Sequence, residues 1–156
     1  SRKVQTAYGE FTLHAYVDKS TQRTHLALVK GEVLPDFETL VRVHEPLSVM
    51  DFMEQTSYEK STSVHEAMKK ISRASSGVLV LMHQDETART LLARALDDHA
   101  AHPASKWDPK SYGIGAQILR DVGVGKMCLI GTAHKMPSMA GFGLEVVGYC
   151  SSKEEK

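Results

Sequence analysis

The chain has 156 residues, with 19 lysines and arginines against 19 aspartates and glutamates, so its formal net charge is zero. That balance excludes a general nucleic-acid binder, which needs a basic excess or stripe. The longest apolar run, residues 78–82, is far too short to span a bilayer. A chain of this length is expected to form one domain that buries roughly 70% of its unfolded surface without staples.

In chain order, Phe11, Leu13, Ala15 and Val17 alternate with Thr12, His14 and Tyr16, the period of two of a half-buried strand. Residues 25–29 read as a second strand, 31–38 with Pro35-Asp36 as the turn leaving it, and 40–44 as a third, β-branched run. Residues 45–61 show no period. Ser63 and Glu66 have capping-box spacing, and Val64, Ala67, Met68, Ile71 and Ala74 recur at helical intervals until Gly77. The unbroken apolar run 78–82 is the kind of strand that helices cover on both faces. Ala88, Leu91, Leu92, Ala95 and Leu96 define a second amphipathic helix that starts near Asp85 or Thr87. Residues 99–109, with Pro103 and Pro109, read as a loop. Ser111 is placed as the cap of a third helix over 112–122, with Gly123 at its C-terminal end. Residues 127–130 make a short apolar strand, and Leu144, Val146 and Val147 a last one after Gly141-Phe142-Gly143. Strands lead and then alternate with helices, which gives an α/β class with a mixed β-sheet packed with helices. The domain is expected over 1–150, followed by a polar, frayed tail over 151–156.

Chemical motifs are sparse. Gly113-Ile114-Gly115 opens a helix, but Ile118 stands where a dinucleotide fingerprint has its third glycine, so close helix packing is the expected role. Of the eight histidines, His99 and His102 beside Asp98 have a spacing that could join two metal ligands; the plainer reading is solvent-facing histidines at a helix end. Cys128 lies in an apolar run and is expected to behave as a small hydrophobe, not a nucleophile. With Cys150 it makes neither a disulfide framework nor a zinc site, and reduced thiols in a cytoplasmic setting are expected. Two polar clusters remain. His83-Gln84-Asp85-Glu86 follows the buried strand, where ligands bind in α/β sheets. Asp108-Pro109-Lys110-Ser111 precedes the third helix, where backbone N–H groups can hold an anion. The plainer reading of both is a solvated loop.

The run Ser111-Tyr112-Gly113-Ile114-Gly115-Ala116-Gln117-Ile118-Leu119-Arg120-Asp121-Val122-Gly123-Val124 closely resembles a signature of GTP cyclohydrolase II, the enzyme that opens the guanine ring of GTP in riboflavin biosynthesis. Tyr8-Gly9-Glu10-Phe11, His25-Leu26-Ala27-Leu28-Val29-Lys30-Gly31, Val41-Arg42-Val43-His44 and Gly141-Phe142-Gly143-Leu144-Glu145-Val146-Val147 resemble further segments of that family, in the family's order. The resemblance covers nearly the whole chain and implies the fold of that family and a homodimer.

The departures are more informative. The family holds Zn²⁺ with three cysteines, and the aligned positions here are Leu47, Tyr58 and Lys60. An aliphatic group has no lone pair and an ammonium repels a cation, so the zinc site is expected to be absent, and with it the Lewis acid for the attacking water. Of the family's Arg-Gln-Glu-Gly-Arg run, His83-Gln84-Asp85-Glu86-Thr87 retains Gln84, with Asp85 as a conservative change, and both arginines are gone. Weaker triphosphate binding follows, because forked cations carry that recognition. Asp108 matches the family's catalytic aspartate and Lys110 stands for its arginine nucleophile; a catalytic tyrosine falls at Asp98. The nucleotide-binding turn reads Gly131-Thr132-Ala133-His134-Lys135-Met136 in place of Thr-Asn-Asn-Pro-x-Lys. Gln84 and Asp85 are thus implied as vestigial nucleotide contacts, and Asp108 and Lys110 as vestigial catalytic groups.

In many bacteria a domain of this family follows 3,4-dihydroxy-2-butanone 4-phosphate synthase, sometimes without its zinc cysteines. A start without Met and with immediate entry into a strand is expected of such a C-terminal domain. The resemblance therefore implies a structural or regulatory module of that synthase, in the cytoplasm, with no nucleic-acid or membrane partner and no cofactor of its own. Mg²⁺ is expected only with a nucleotide or in the synthase domain. A nucleotide or flavin effector is a further expected ligand. The competing expectation is a zinc-independent nucleotide hydrolase working through Lys110 and Asp108.

Overall fold

The computed structural model describes residues 1–44, 64–83, 85–96, 109–131 and 139–150. Two antiparallel strands open the chain, β1 (Arg2–Thr6) and β2 (Gly9–Val17), joined by a two-residue turn. β1 was not among the strands read from the sequence, because its polar, mostly exposed residues carry little of the strand pattern. β2 pairs antiparallel with β3 (Thr24–Lys30). The turn between them is organised by Asp18, whose carboxylate accepts hydrogen bonds from the Ser20 N–H (2.9 Å) and the Ser20 and Thr21 hydroxyls. These donors hold the Asp18 carboxyl down to about 2.

The remaining strands alternate with helices. β4 (Glu38–His44) is followed by α1 (Val64–Arg73), β5 (Gly77–Leu81), α2 (Ala88–Leu96), α3 (Pro109–Asp121), β6 (Lys126–Ile130), a 3₁₀ turn (Met139–Phe142) and β7 (Glu145–Cys150). The described strands form one mixed sheet in the order β1-β2-β3-β5-β4-β6-β7. β3 meets β5 antiparallel, whereas β4 is parallel to both β5 and β6, and β6 is parallel to β7. β5 lies on one side of β4 and β6 on the other, so right-handed crossovers put α1 and α3 on opposite faces.

The core divides accordingly. Ala67, Met68 and Ile71 of α1 pack on Phe11, Leu28, Leu79 and Ile130 on one face. Ala116, Ile118 and Leu119 of α3 pack on Ala27, Val41, Val78, Val80, Met127 and Leu129 on the other. The apolar run of β5 is thus covered on both sides, as its unbroken hydrophobicity requires. In α3, Gly115 is buried with Val43 Cγ1 3.7 Å from where a Cβ would stand, so the Gly-Ile-Gly step serves close helix–sheet packing.

Helix ends follow local chemistry. The Thr87 hydroxyl accepts the Thr90 N–H at 3.1 Å, making Thr87 the cap of α2. At the end of α3, Gly123 takes φ 100°, its N–H reaches the Arg120 carbonyl and the Val124 N–H reaches that of Leu119, a Schellman closure. The start of α3 corrects the sequence reading: the helix begins at Pro109, so Ser111 lies inside the first turn and is not its cap. Proline suits that first position because its missing N–H would have no helical partner there. α2 also departs from expectation: Leu92 and Leu96 are 59% and 79% exposed.

Candidate functional site

β4 and β5 are adjacent and parallel, and their connections leave to opposite faces of the sheet. That makes the crevice beyond their C-terminal ends a topological switch point, where α/β sheets bind ligands. His44 ends β4, Met82 and His83 follow β5, and the Met82 N–H donates to the His44 carbonyl at 3.1 Å, closing the two ends together. On the far side of β4, the Arg42 guanidinium donates to the Ile130 carbonyl at 3.1 Å. A Cβ at Gly131 would lie 2.6 Å from that guanidinium, so the bare backbone there gives Arg42 its room.

His25, at the start of β3, forms the floor on the other side. It is 3% exposed, and its Nδ1 accepts the His83 N–H at 3.1 Å. An accepting Nδ1 assigns the neutral tautomer with the proton on Nε2, which has no hydrogen-bond partner among the described residues. Burial lowers the His25 pKa from 6.5, against the opposing pull of the Asp18 carboxylate; His83 and Arg23 lower it further. In the unfolded chain the imidazole binds its proton more readily. Stability from neutral His25 is therefore complete above pH 6.5 and declines as pH falls from there through the folded value. His25→Asn keeps an acceptor near the Nδ1 position and should flatten that acid limb in unfolding titrations. An unchanged limb would assign it to other groups.

Beside the same sheet, the Tyr16 hydroxyl donates to Asp121 Oδ2 at 2.7 Å, tying β2 to the end of α3. Burial and that carboxylate raise the Tyr16 pKa well above the ordinary phenol range.

Of the residues singled out from sequence, Asp85 is exposed in the segment that follows β5, and Lys110 is in the first turn of α3. The middle of α3, at Gly115, lies close to Val43 near the C-terminal end of β4. Gln84, Asp108, Asp98, His99, His102, Leu47, Tyr58 and Lys60 lie outside the described residues. Sequence reading did not single out His25, Arg42 or His44 for the site. The available signal was their position at strand ends, which gains meaning only once the strand order is known.

The cysteines correct a sequence expectation. Cys128 and Cys150 are not reduced thiols but a disulfide, with Cα atoms 6.1 Å apart. They are separated by 22 residues and meet because β6 and β7 pair in parallel, with a register shift between Met127 and Cys128. The two cysteine sulfurs are thereby committed to each other. Among the described residues no group of three or more His, Cys, Asp or Glu side chains could hold a metal ion.

The geometry defines a doubly wound, mixed α/β domain with its candidate site at the strand C-termini. The family model of GTP cyclohydrolase II matches residues 1–151, and the chain belongs to that family. It is 51% identical over 146 residues to the 3,4-dihydroxy-2-butanone 4-phosphate synthase of Neisseria meningitidis serogroup A, covering 94% of this chain and 40% of the relative. It is 36% identical over 156 residues to riboflavin biosynthesis protein RibBA of Chlorobium phaeovibrioides, covering 92% of this chain and 38% of the relative. The solved structure of RibBX, a two-domain 3,4-dihydroxy-2-butanone 4-phosphate synthase from A. baumannii, matches with a TM-score of 0.62 at 31% identity, over 96% of this chain and 38% of that one. The chain therefore spans well under half the length of these relatives. No helix among the described residues is long and apolar enough to cross a membrane.

Proposed function

We propose that this chain is a GTP cyclohydrolase II-type domain without ring-opening activity, serving as a structural or regulatory module of a 3,4-dihydroxy-2-butanone 4-phosphate synthase. The observation that carries the reading is the commitment of its two cysteines, Cys128 and Cys150, to one disulfide between β6 and β7. No other sulfur of the thiolate type exists in the sequence, and Leu47, Tyr58 and Lys60 stand where the family places its zinc ligands. Without a Lewis acid, water at neutral pH is a poor nucleophile toward the guanine ring. The synthase names of the relatives support the assignment of the larger protein. The module works as a homodimer in the cytoplasm, and Gln84 and Asp85 retain at most a weak nucleotide or flavin contact.

The test is an assay with GTP and Mg²⁺, following guanine absorbance and pyrophosphate, together with elemental analysis for zinc. No ring opening and no stoichiometric zinc are expected. Turnover near that of a zinc-bearing relative would overturn the reading. Pyrophosphate release without ring opening, abolished by Lys110→Ala, would replace it with a zinc-independent nucleotide hydrolase.

A further inference from the structure

We propose that Cys128–Cys150 is a thiol–disulfide exchange site, and that its reduction by a dithiol frees the end of β7 together with Gly131, the residue that follows β6.

Among the described strands β7 stands at the edge of the sheet and pairs with β6 alone. Beyond the register shift, the ladder that fastens it is short: Cys128↔Gly148, Leu129↔Tyr149 and Ile130↔Cys150. Its outward side chains add little, since Val147 and Tyr149 are 43% and 48% exposed. The disulfide crosses this last part of the ladder and is its covalent fastening. The Gly131 N–H donates to the Cys150 carbonyl at 3.1 Å, so whatever holds Cys150 also holds the residue from which the chain leaves β6. Gly131 lies beside the Arg42 guanidinium, at the same edge of the sheet as the switch point.

The two residues differ in exposure: Cys128 is buried and Cys150 is half-buried. An incoming thiolate of a dithiol reductant attacks Cys150 Sγ, the S–S bond breaks, and Cys128 leaves as a thiolate that takes up a proton. The second thiol of the reductant then displaces Cys150 from the mixed disulfide. The balance is one protein disulfide plus one dithiol giving two protein thiols plus one oxidised reductant. The inference does not depend on whether the domain opens GTP.

The experiment compares the full chain before and after dithiothreitol, by thiol alkylation with mass spectrometry and by amide hydrogen exchange. The expected result is no alkylated cysteine in the oxidised chain and two after reduction. Exchange at Gly131 and across residues 146–150 should speed up about tenfold or more, while α1 and β2 keep their rates. Cys128→Ser/Cys150→Ser should exchange like the reduced chain and no longer respond to dithiothreitol. Should the double variant fail to fold, Cys150→Ser alone provides the same comparison. Free thiols in the untreated chain, a native bond that dithiothreitol leaves intact, or unchanged exchange at Gly131 and β7 on reduction would each overturn the proposal.

Discussion

Gly31→Ala is expected to lower the free energy of unfolding by about 3 kcal/mol or more. Gly31 follows β3 with φ 69°, a region that costs an alanine about 1 kcal/mol. An added Cβ would also collide with the carbonyl oxygen of Ser75 and lie 3.1 Å from its carbon. Both are backbone atoms ahead of β5, and the neighbouring Lys30↔Gly77 pair fixes the distance between the two chains. No side chain can rotate away, so the strands must separate or the turn must distort. Two controls divide the effect into its parts. Gly9→Ala shares the positive φ, at 104°, but meets nothing within 4 Å, and should cost only about 1 kcal/mol. Gly141→Ala has open space and no positive φ, and should be close to neutral. Denaturant unfolding of the three variants measures the series. A Gly31→Ala cost no larger than that of Gly9→Ala would show that the chain does not close against Ser75 as described.

Replacing Cys128 and Cys150 by serine should cost about 3 kcal/mol, because the bond closes a 22-residue loop whose freedom would return to the unfolded chain. For a domain of this size that corresponds to a fall in Tm of about 6–12 °C. The same shift should appear when the unaltered chain is unfolded with and without dithiothreitol. Equal midpoints would mean that β6 and β7 do not hold the two sulfurs together. The stability effect and the local release of β7 are separate readouts: the first reports the unfolded state, the second the native edge strand.

These two sites also mark the limit of what local reading of the chain delivers. The alternation around Phe11, the apolar run of β5, the helical repeat of α1 and the Gly123 stop were legible, because each is a contact between residues a few positions apart or a periodicity imposed by one buried face. The family signature over 111–124 was legible for a related reason: its small residues answer to close packing of α3 on β4. β1 was not, since an edge strand with polar residues on both faces has no hydrophobic pattern to show. The apolar spacing of α2 misled about burial, as the exposure of Leu92 and Leu96 shows.

For the site, the sequence by itself determined which chemical groups exist: two cysteines in all, neither of them at 47, 58 or 60, and a step after β5, residues 83–87, that holds no arginine. Only the tertiary structure decided which groups meet. The inserted position of β4 between β5 and β6 creates the switch point and sets Arg42 against the end of β6, while the antiparallel pairing of β3 with β5 brings His25 to the His83 N–H. The parallel pairing of β6 with β7 turns two isolated cysteines into a bond. These meetings join residues 22 to 88 positions apart. Such pairings are selected by the global packing of the sheet against two helical faces, and no local propensity encodes them.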